Sequence, residues 1–262
     1  MLKPKKSLGQ NFLQDENILR KIVSCLNLQT NDVVFEIGPG QGALTKHLLA
    51  HPITLIAAEI DDRAVALLQD SFGNRLELLH QDVLSVDFIK LYQQYRQPLR
   101  VVGNIPYYLT SEILIKLFDH HAELREAVLM VQLEVARRLI AKPQTKEYGI
   151  LTIYANYYSS CELLFKVSRN VFYPKPDVDS AVIRLMFNHS TLPCNEQIFR
   201  NVVRSTFGKR RKTLHNGLKY MGFENAQLNS LPFDLTKRPE ELSVSDFISL
   251  TTAIETLHPK TV

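Results

Sequence analysis

Val33-Val34-Phe35-Glu36-Ile37-Gly38-Pro39-Gly40-Gln41-Gly42-Ala43-Leu44 decides the fold. A short apolar run breaks into glycines at every second position, then resumes with helical periodicity. That pattern marks a buried strand entering a helix through a tight turn, where backbone lies open beneath a ligand. Working outward, further strands read at residues 53–58, 76–79, 99–102, 127–131, 161–167 and 181–187. Helical patterns read at 42–50, 61–71, 111–119, 133–141 and 148–159. Such alternation predicts an α/β fold, a mostly parallel sheet with helices on both faces.

The last two of the seven strands have no helix between them. They are joined by Phe172-Tyr173-Pro174-Lys175-Pro176, so they are expected to pair antiparallel. A seven-stranded, mostly parallel sheet with an antiparallel last strand is the Rossmann-like variant of class I methyltransferases. After Phe187, Asn188-His189-Ser190-Thr191-Leu192-Pro193 reads as a linker, and helices are expected at 195–207, 210–220 and 243–256. The expected division is a ligand-binding domain over 1–188, opened by an N-terminal segment, and a small all-helical domain over 189–262.

The chain has 262 residues, 45% hydrophobic and 22% charged, which suits a globular protein with a sizeable core. No apolar run approaches the roughly 18 residues that span a bilayer. The opening Met1-Leu2-Lys3-Pro4-Lys5-Lys6-Ser7 lacks a secretory pattern, so a cytoplasmic location without membrane contact is expected. Cys25, Cys161 and Cys194 are odd in number and far apart, and no histidine stands at ligand spacing, so no metal is expected. Net charge is +4, but its placement is more informative. Arg200, Arg204, Lys209, Arg210, Arg211, Lys212 and Lys219 occur with no acidic residue among them, and Lys3, Lys5 and Lys6 form a second cluster. A solvated helix face is one reading. A field of one sign suited to phosphate is the other, and it makes Arg204, Lys209, Arg210, Arg211 and Lys212 candidate RNA contacts.

The glycines also fit the dinucleotide pattern G-x-G-x-x-A, so an NAD oxidoreductase is a rival, though no hydride-handling residue is found. Two details favour S-adenosylmethionine. Glu36 just before the loop repels a pyrophosphate but suits an ammonium and a sulfonium, and Pro39 removes an N–H that phosphate would need. Glu59 ends the next strand, about twenty residues past Gly38, where an acidic side chain reaches ribose hydroxyls. Asp82 follows the third strand and is either an acceptor for the cofactor's adenine amine or an ordinary helix cap.

The fourth strand runs into Gly103-Asn104-Ile105-Pro106-Tyr107-Tyr108. One reading is a turn with an aromatic plug. The other explains more. The 6-amino group of adenine is a poor nucleophile because its lone pair is delocalised into the ring. The Asn104 side-chain oxygen and the Ile105 carbonyl can hold both N–H bonds and favour a tetrahedral nitrogen. Pro106 stiffens the backbone, and Tyr107 can stack on an extruded base. Phe172 is the candidate for the base's other face, with core packing as its alternative.

With these motifs in place the chain resembles the ribosomal RNA adenine dimethyltransferases. The resemblance rests on Lys6-Ser7-Leu8-Gly9-Gln10-Asn11-Phe12-Leu13, residues 36–45, Asn104-Ile105-Pro106-Tyr107, residues 172–185 and Arg210-Arg211-Lys212-Thr213-Leu214. It covers about residues 5 to 248. The last stretch, with Val178-Asp179-Ser180-Ala181-Val182, is more similar to the bacterial small-subunit enzymes than to relatives acting on large-subunit RNA. The resemblance implies dimethylation of two adjacent adenosines in the 3′-terminal hairpin of 16S ribosomal RNA, within a nearly assembled 30S subunit. It implies a cofactor site at Asn11, Leu13, Gly38, Glu59, Asp82 and Asn104, with Gln10-Asn11-Phe12-Leu13 folding over the cofactor and S-adenosylhomocysteine as product. Gly40 and Glu36 join that set from the loop reading, and a monomer is expected. One departure is Tyr108, where many members carry Asn. The rival functions are a 23S ribosomal RNA adenine methyltransferase and a non-catalytic assembly factor that binds ribosomal RNA.

Overall fold

The computed structural model describes residues 2–5, 8–189 and 193–257. Lys6, Ser7 and residues 190–192 of the expected linker therefore lie outside the described residues. The chain divides into two compact units, one from residues 1–137 and 158–189, the other from 138–157 and 190–262.

Among the described residues the first unit holds nine strands: β1 (Phe12–Leu13), β2 (Val33–Ile37), β3 (Thr54–Glu59), β4 (Glu77–His80), β5 (Leu99–Asn104), β6 (Leu124–Gln132), β7 (Ser159–Val167), β8 (Phe172–Tyr173) and β9 (Ser180–Phe187). Seven form one sheet in the order β4-β3-β2-β5-β6-β9-β7. The pairs among β4, β3, β2, β5 and β6 are parallel. β9 lies between β6 and β7, antiparallel to both. Every residue of β2 is buried, as expected for a strand covered on both faces. The fold class expected from the sequence is present.

Helices α1 (Glu16–Cys25), α2 (Ala43–Leu48), α3 (Asp62–Phe72), α4 (Phe88–Tyr95), α5 (Thr110–Asp119) and α6 (Leu133–Leu139) connect these strands. α1 and α4 were not among the expected helices. Asp15 caps α1 by accepting from the Asn17 and Ile18 N–H groups, and the helix buries Leu19, Ile22 and Val23. Asp87 caps α4, which buries only Phe88 and Leu91, a weak periodic signal. At the N-terminal ends of the strands, buried Arg100 pairs with Glu126 and, at 2.8 Å, with Asp32. Each buried charge thus has a partner.

The second unit contains α7 (Ile150–Tyr158) up to residue 157, α8 (Glu196–Phe207), α9 (Leu214–Leu218), α10 (Asn225–Asn229) and α11 (Val244–Glu255). The expected division at residue 188 is corrected here, because residues 138–157 pack with the C-terminal helices. The Tyr157 ring stacks on Phe199 with centroids 3.8 Å apart, and the Tyr148 hydroxyl donates to the Leu242 carbonyl at 2.7 Å. A periodicity reading sees that 148–159 is helical but not which core it joins.

A second correction concerns 210–220. Residues 208–212 form turns and a bend, and helix begins only at Leu214. The Leu214 and His215 N–H groups donate to the Lys237 and Leu235 carbonyls, which ties the first turn of α9 to residues 235–237.

Candidate active site

Strand register brings the predicted residues together. Ile37 stands opposite Ala58 in β3 and opposite Gly103 in β5, while Glu59 stands opposite His80 and Asn104 opposite Met130. The glycine turn, Glu59, Asp82 and Asn104 therefore leave the same, C-terminal edge of the sheet, where open α/β sheets bind ligands. Gly103 permits this closeness. A Cβ there would lie 2.7 Å from the Ile37 carbonyl oxygen, so any side chain would wedge β2 and β5 apart.

Two cavities open at that edge. The first is lined by residues that include Gln10, Asn11, Gly38, Glu59, Asp82 and Asn104. The second lies on the far side of Phe12 and is lined by residues that include Leu13, Glu36, Gly38, Leu44, Asn104 and Met130. Phe12, Gly38, Gly40 and Asn104 border both. Gly40 has φ +56°, and a Cβ there would meet the Phe12 ring at 3.0 Å, so the ring rests directly on the turn. Among the described residues no Lys or Arg lines either cavity. The polar wall is acidic, which fits a cationic, adenosine-bearing ligand and lacks the cations that commonly hold a pyrophosphate.

The three carboxylates are held differently. Glu36 is buried, and its carboxylate accepts from the Thr45 hydroxyl at 2.7 Å. Burial, aided by the negative charge of Glu59, pushes its pKa up to about 8, so it is largely protonated at neutral pH with the cleft empty. Glu59 accepts from the Gly40 N–H at 2.9 Å and from the Ile60 and Asp61 N–H groups, which locks its rotamer at the cavity wall. Asp82 lines the first cavity and also caps the following turn by accepting from the Leu84 N–H at 2.9 Å. The cap reading of Asp82 is met by this hydrogen bond.

In the Asn104–Tyr107 motif, the Asn104 side-chain N–H donates to the Asn11 carbonyl at 2.8 Å. Ile105 donates its N–H to the Met130 carbonyl, and the Thr110 hydroxyl donates to the Tyr107 carbonyl at 3.0 Å, which fixes the turn at the start of α5. The Tyr107 hydroxyl shares a 2.7 Å hydrogen bond with Ser180 of β9, and burial raises its pKa. Tyr108 is exposed yet lines the first cavity, and its ring is packed so close to Gly9 that a Cβ there would stand 2.9 Å away. The departure from Asn thus places an aromatic face against the N-terminal segment.

Phe172 departs from expectation. It is buried among Leu13, Val167 and Val182 in the apolar core and borders neither cavity. The short β1–β8 pairing, Leu13 opposite Phe172, draws it inward. Of the candidate RNA contacts, Arg204, Lys209, Arg211 and Lys212 are exposed. Arg210 instead pairs with Glu240 at 2.6 Å and donates to the Thr145 and Lys146 carbonyls. Lys5 is likewise engaged, by Asp61 at 3.0 Å, and Arg200 by Glu196.

Sequence reasoning missed Asp61. Its side chain is fully buried and gathers the side chains of Lys5, Gln10 and Arg63. The Arg63 guanidinium holds its carboxyl well below the usual range. The only signal was an Asp two residues past Glu59, which reads as a helix cap.

A sequence model of the ribosomal RNA adenine dimethylase family matches residues 1–255. A ribosomal RNA small subunit methyltransferase A from Francisella tularensis subsp. novicida is 42% identical over 254 residues, covering 95% of this chain and 96% of the relative. One from Chlorobium phaeobacteroides is 44% identical over 246 residues, covering 94% and 92%. Among solved structures, a dimethyladenosine transferase from Plasmodium falciparum has a TM-score of 0.79 at 28% identity, covering 94% of this chain and 98% of that one. The 23S rRNA methyltransferase ErmE, at TM-score 0.67 and 24% identity, shares the fold and covers 93% of this chain and 99% of its own.

Proposed function

Because this chain belongs to the ribosomal RNA adenine dimethylase family, we propose that it methylates the 6-amino groups of two adjacent adenosines in small-subunit ribosomal RNA, with S-adenosylmethionine as donor. The 3′-terminal hairpin of 16S RNA in a nearly assembled 30S particle is the substrate of this reading. When bound, S-adenosylmethionine supplies an electrophilic methyl group on a sulfonium. In this reading Glu59 and Asp82, on the wall of the first cavity, hold its ribose and adenine, and Glu36, on the wall of the second, attracts its cationic end.

The observation that carries the mechanism is the orientation of Asn104. Its amide nitrogen is committed to the Asn11 carbonyl, so its oxygen is the end left to accept from a target amine. With the Ile105 carbonyl as second acceptor, the protein holds both amine hydrogens and aims the lone pair. Tyr107, fixed through Ser180, offers a ring face to the base. The amine becomes acidic once methylated and loses its proton to solvent, so positioning and electrostatics carry the rate.

Undermethylated 30S and 50S particles, offered with labelled donor, test the reading. Two dimethyladenosines should form in 30S RNA and none in 50S RNA, and Asn104→Ala should lower the rate at least 100-fold while cofactor affinity changes little. Label entering 50S RNA instead would assign the chain to the large-subunit activity, and an unaltered Asn104→Ala rate would end the mechanism.

A further inference from the structure

The Asn104 amide is useful only if it does not flip, and nothing in its own strand prevents a flip. What fixes it is a carbonyl from a remote segment, at Asn11. That segment is anchored at both ends. On its C-terminal side β1 pairs with β8, Phe12 opposite Tyr173. On its N-terminal side the anchor is Gln10, which works in two directions. Its Oε1 accepts from the Lys5 N–H at 2.9 Å, and its Nε2 donates to Asp61 Oδ2 at 3.0 Å.

Asp61 is well suited to be the fixed point. It is itself rigid: it caps α3, its N–H is held by Glu59, and its carboxylate is gripped by Arg63 through Nε at 3.0 Å and Nη2 at 2.6 Å. Lys5 Nζ reaches Oδ1 at 3.0 Å. Arg63 Nη1 also donates to the Lys3 carbonyl at 3.1 Å. Asp61 therefore ties residues 5 and 10, and through Arg63 residue 3, to the edge of the sheet two residues beyond Glu59. It borders neither cavity, so it has no access to cofactor or base.

We propose that Asp61, acting through Gln10, is a positioning residue for methyl transfer: it fixes the Asn11 carbonyl, which sets the Asn104 amide with its oxygen toward the target amine. The inference rests on the role given to Asn104 above. Its distinguishing consequence is a rate defect separable from folding and from cofactor affinity. An amide free to flip presents a donor to a donor part of the time, and the misplaced segment loses the near-attack geometry on which the rate depends.

The test compares wild type, Asn104→Ala, Gln10→Met, Gln10→Glu and Asp61→Asn. Single-turnover rate on undermethylated 30S particles, S-adenosylhomocysteine affinity and Tm are measured for each. Gln10→Met, Gln10→Glu and Asp61→Asn should each lose about 10- to 100-fold in rate while folded at the assay temperature. Because Asp61 borders neither cavity, Asp61→Asn should do so with affinity changed less than about threefold. Full rate in Gln10→Met, or in Asp61→Asn a rate loss matched by an equal loss of affinity, would overturn the proposal. If Asn104→Ala itself keeps the wild-type rate, the fault lies in the underlying mechanism rather than in the anchor.

Discussion

Glu36 is the residue whose environment most alters its chemistry. Its pKa is raised from 4.5 to about 8 by burial first, with Glu59 adding to the shift. A carboxyl raised in the folded state binds a proton that the unfolded state has already lost. Its contribution to stability is fully present below pH 4.5 and is lost as pH rises toward 8. The cofactor-free protein should therefore lose stability across that window with a slope approaching about 1.4 kcal/mol per pH unit. Glu36→Gln should flatten the slope, as urea unfolding at several pH values would show. An unchanged slope in the variant would mean that the carboxyl stays ionised. The sequence revealed Glu36 as an acid at a strand end, but not its protonation. That depends on burial and on the charge of Glu59, which together outweigh the opposing hydrogen bond from Thr45, and no motif encodes that balance. Phe172 shows the opposite limit. An aromatic in the right segment was legible, whereas the β1–β8 pairing that turns it into the core was not.

At the scale of elements, the sheet was legible because its strands are short, apolar and separated by helical periods. The glycine turn and the Asn104 corner followed from their positions at strand ends. The segment before β1 was not legible from pattern, since it forms no long periodic element and is held by side chains scattered to residue 63. The basic stretch was legible as charge but not as shape. Its expected helix is a turn, and Arg210 within it is spent on Glu240 and two backbone carbonyls. Arg210→Met should therefore destabilise the protein by about 1–2 kcal/mol. Arg211→Met, exposed at the next position, should stay within about 0.5 kcal/mol. Chemical denaturation of the two variants measures the contrast, and equal effects would show that the Arg210 contacts contribute nothing.

For the whole molecule, the relevant quantity is how affinity for the proposed 30S substrate depends on salt. Arg204, Lys209, Arg211 and Lys212 are exposed on the second unit and, among the described residues, form no ion pair like those that engage Arg200 and Arg210. Each contact these side chains make with phosphate in duplex RNA should contribute about 0.9 to the slope of log affinity against log salt, if it behaves as in B-DNA. Neutralising all four to Gln or Met should flatten that slope by up to about 3–4 and leave Tm within a few degrees. Filter binding to undermethylated 30S particles at several salt concentrations gives the answer. An unaltered slope would make this surface a solvated one.

The ring of Phe12 seated on Gly40 has a practical side. It divides the edge of the sheet into two chambers with four residues in common. An inhibitor made to fill both must thread a thin linker past that ring and beside Asn104. The enzyme has little freedom to escape by thickening the partition from below, because even a methyl group on Gly40 would press into the ring at 3.0 Å.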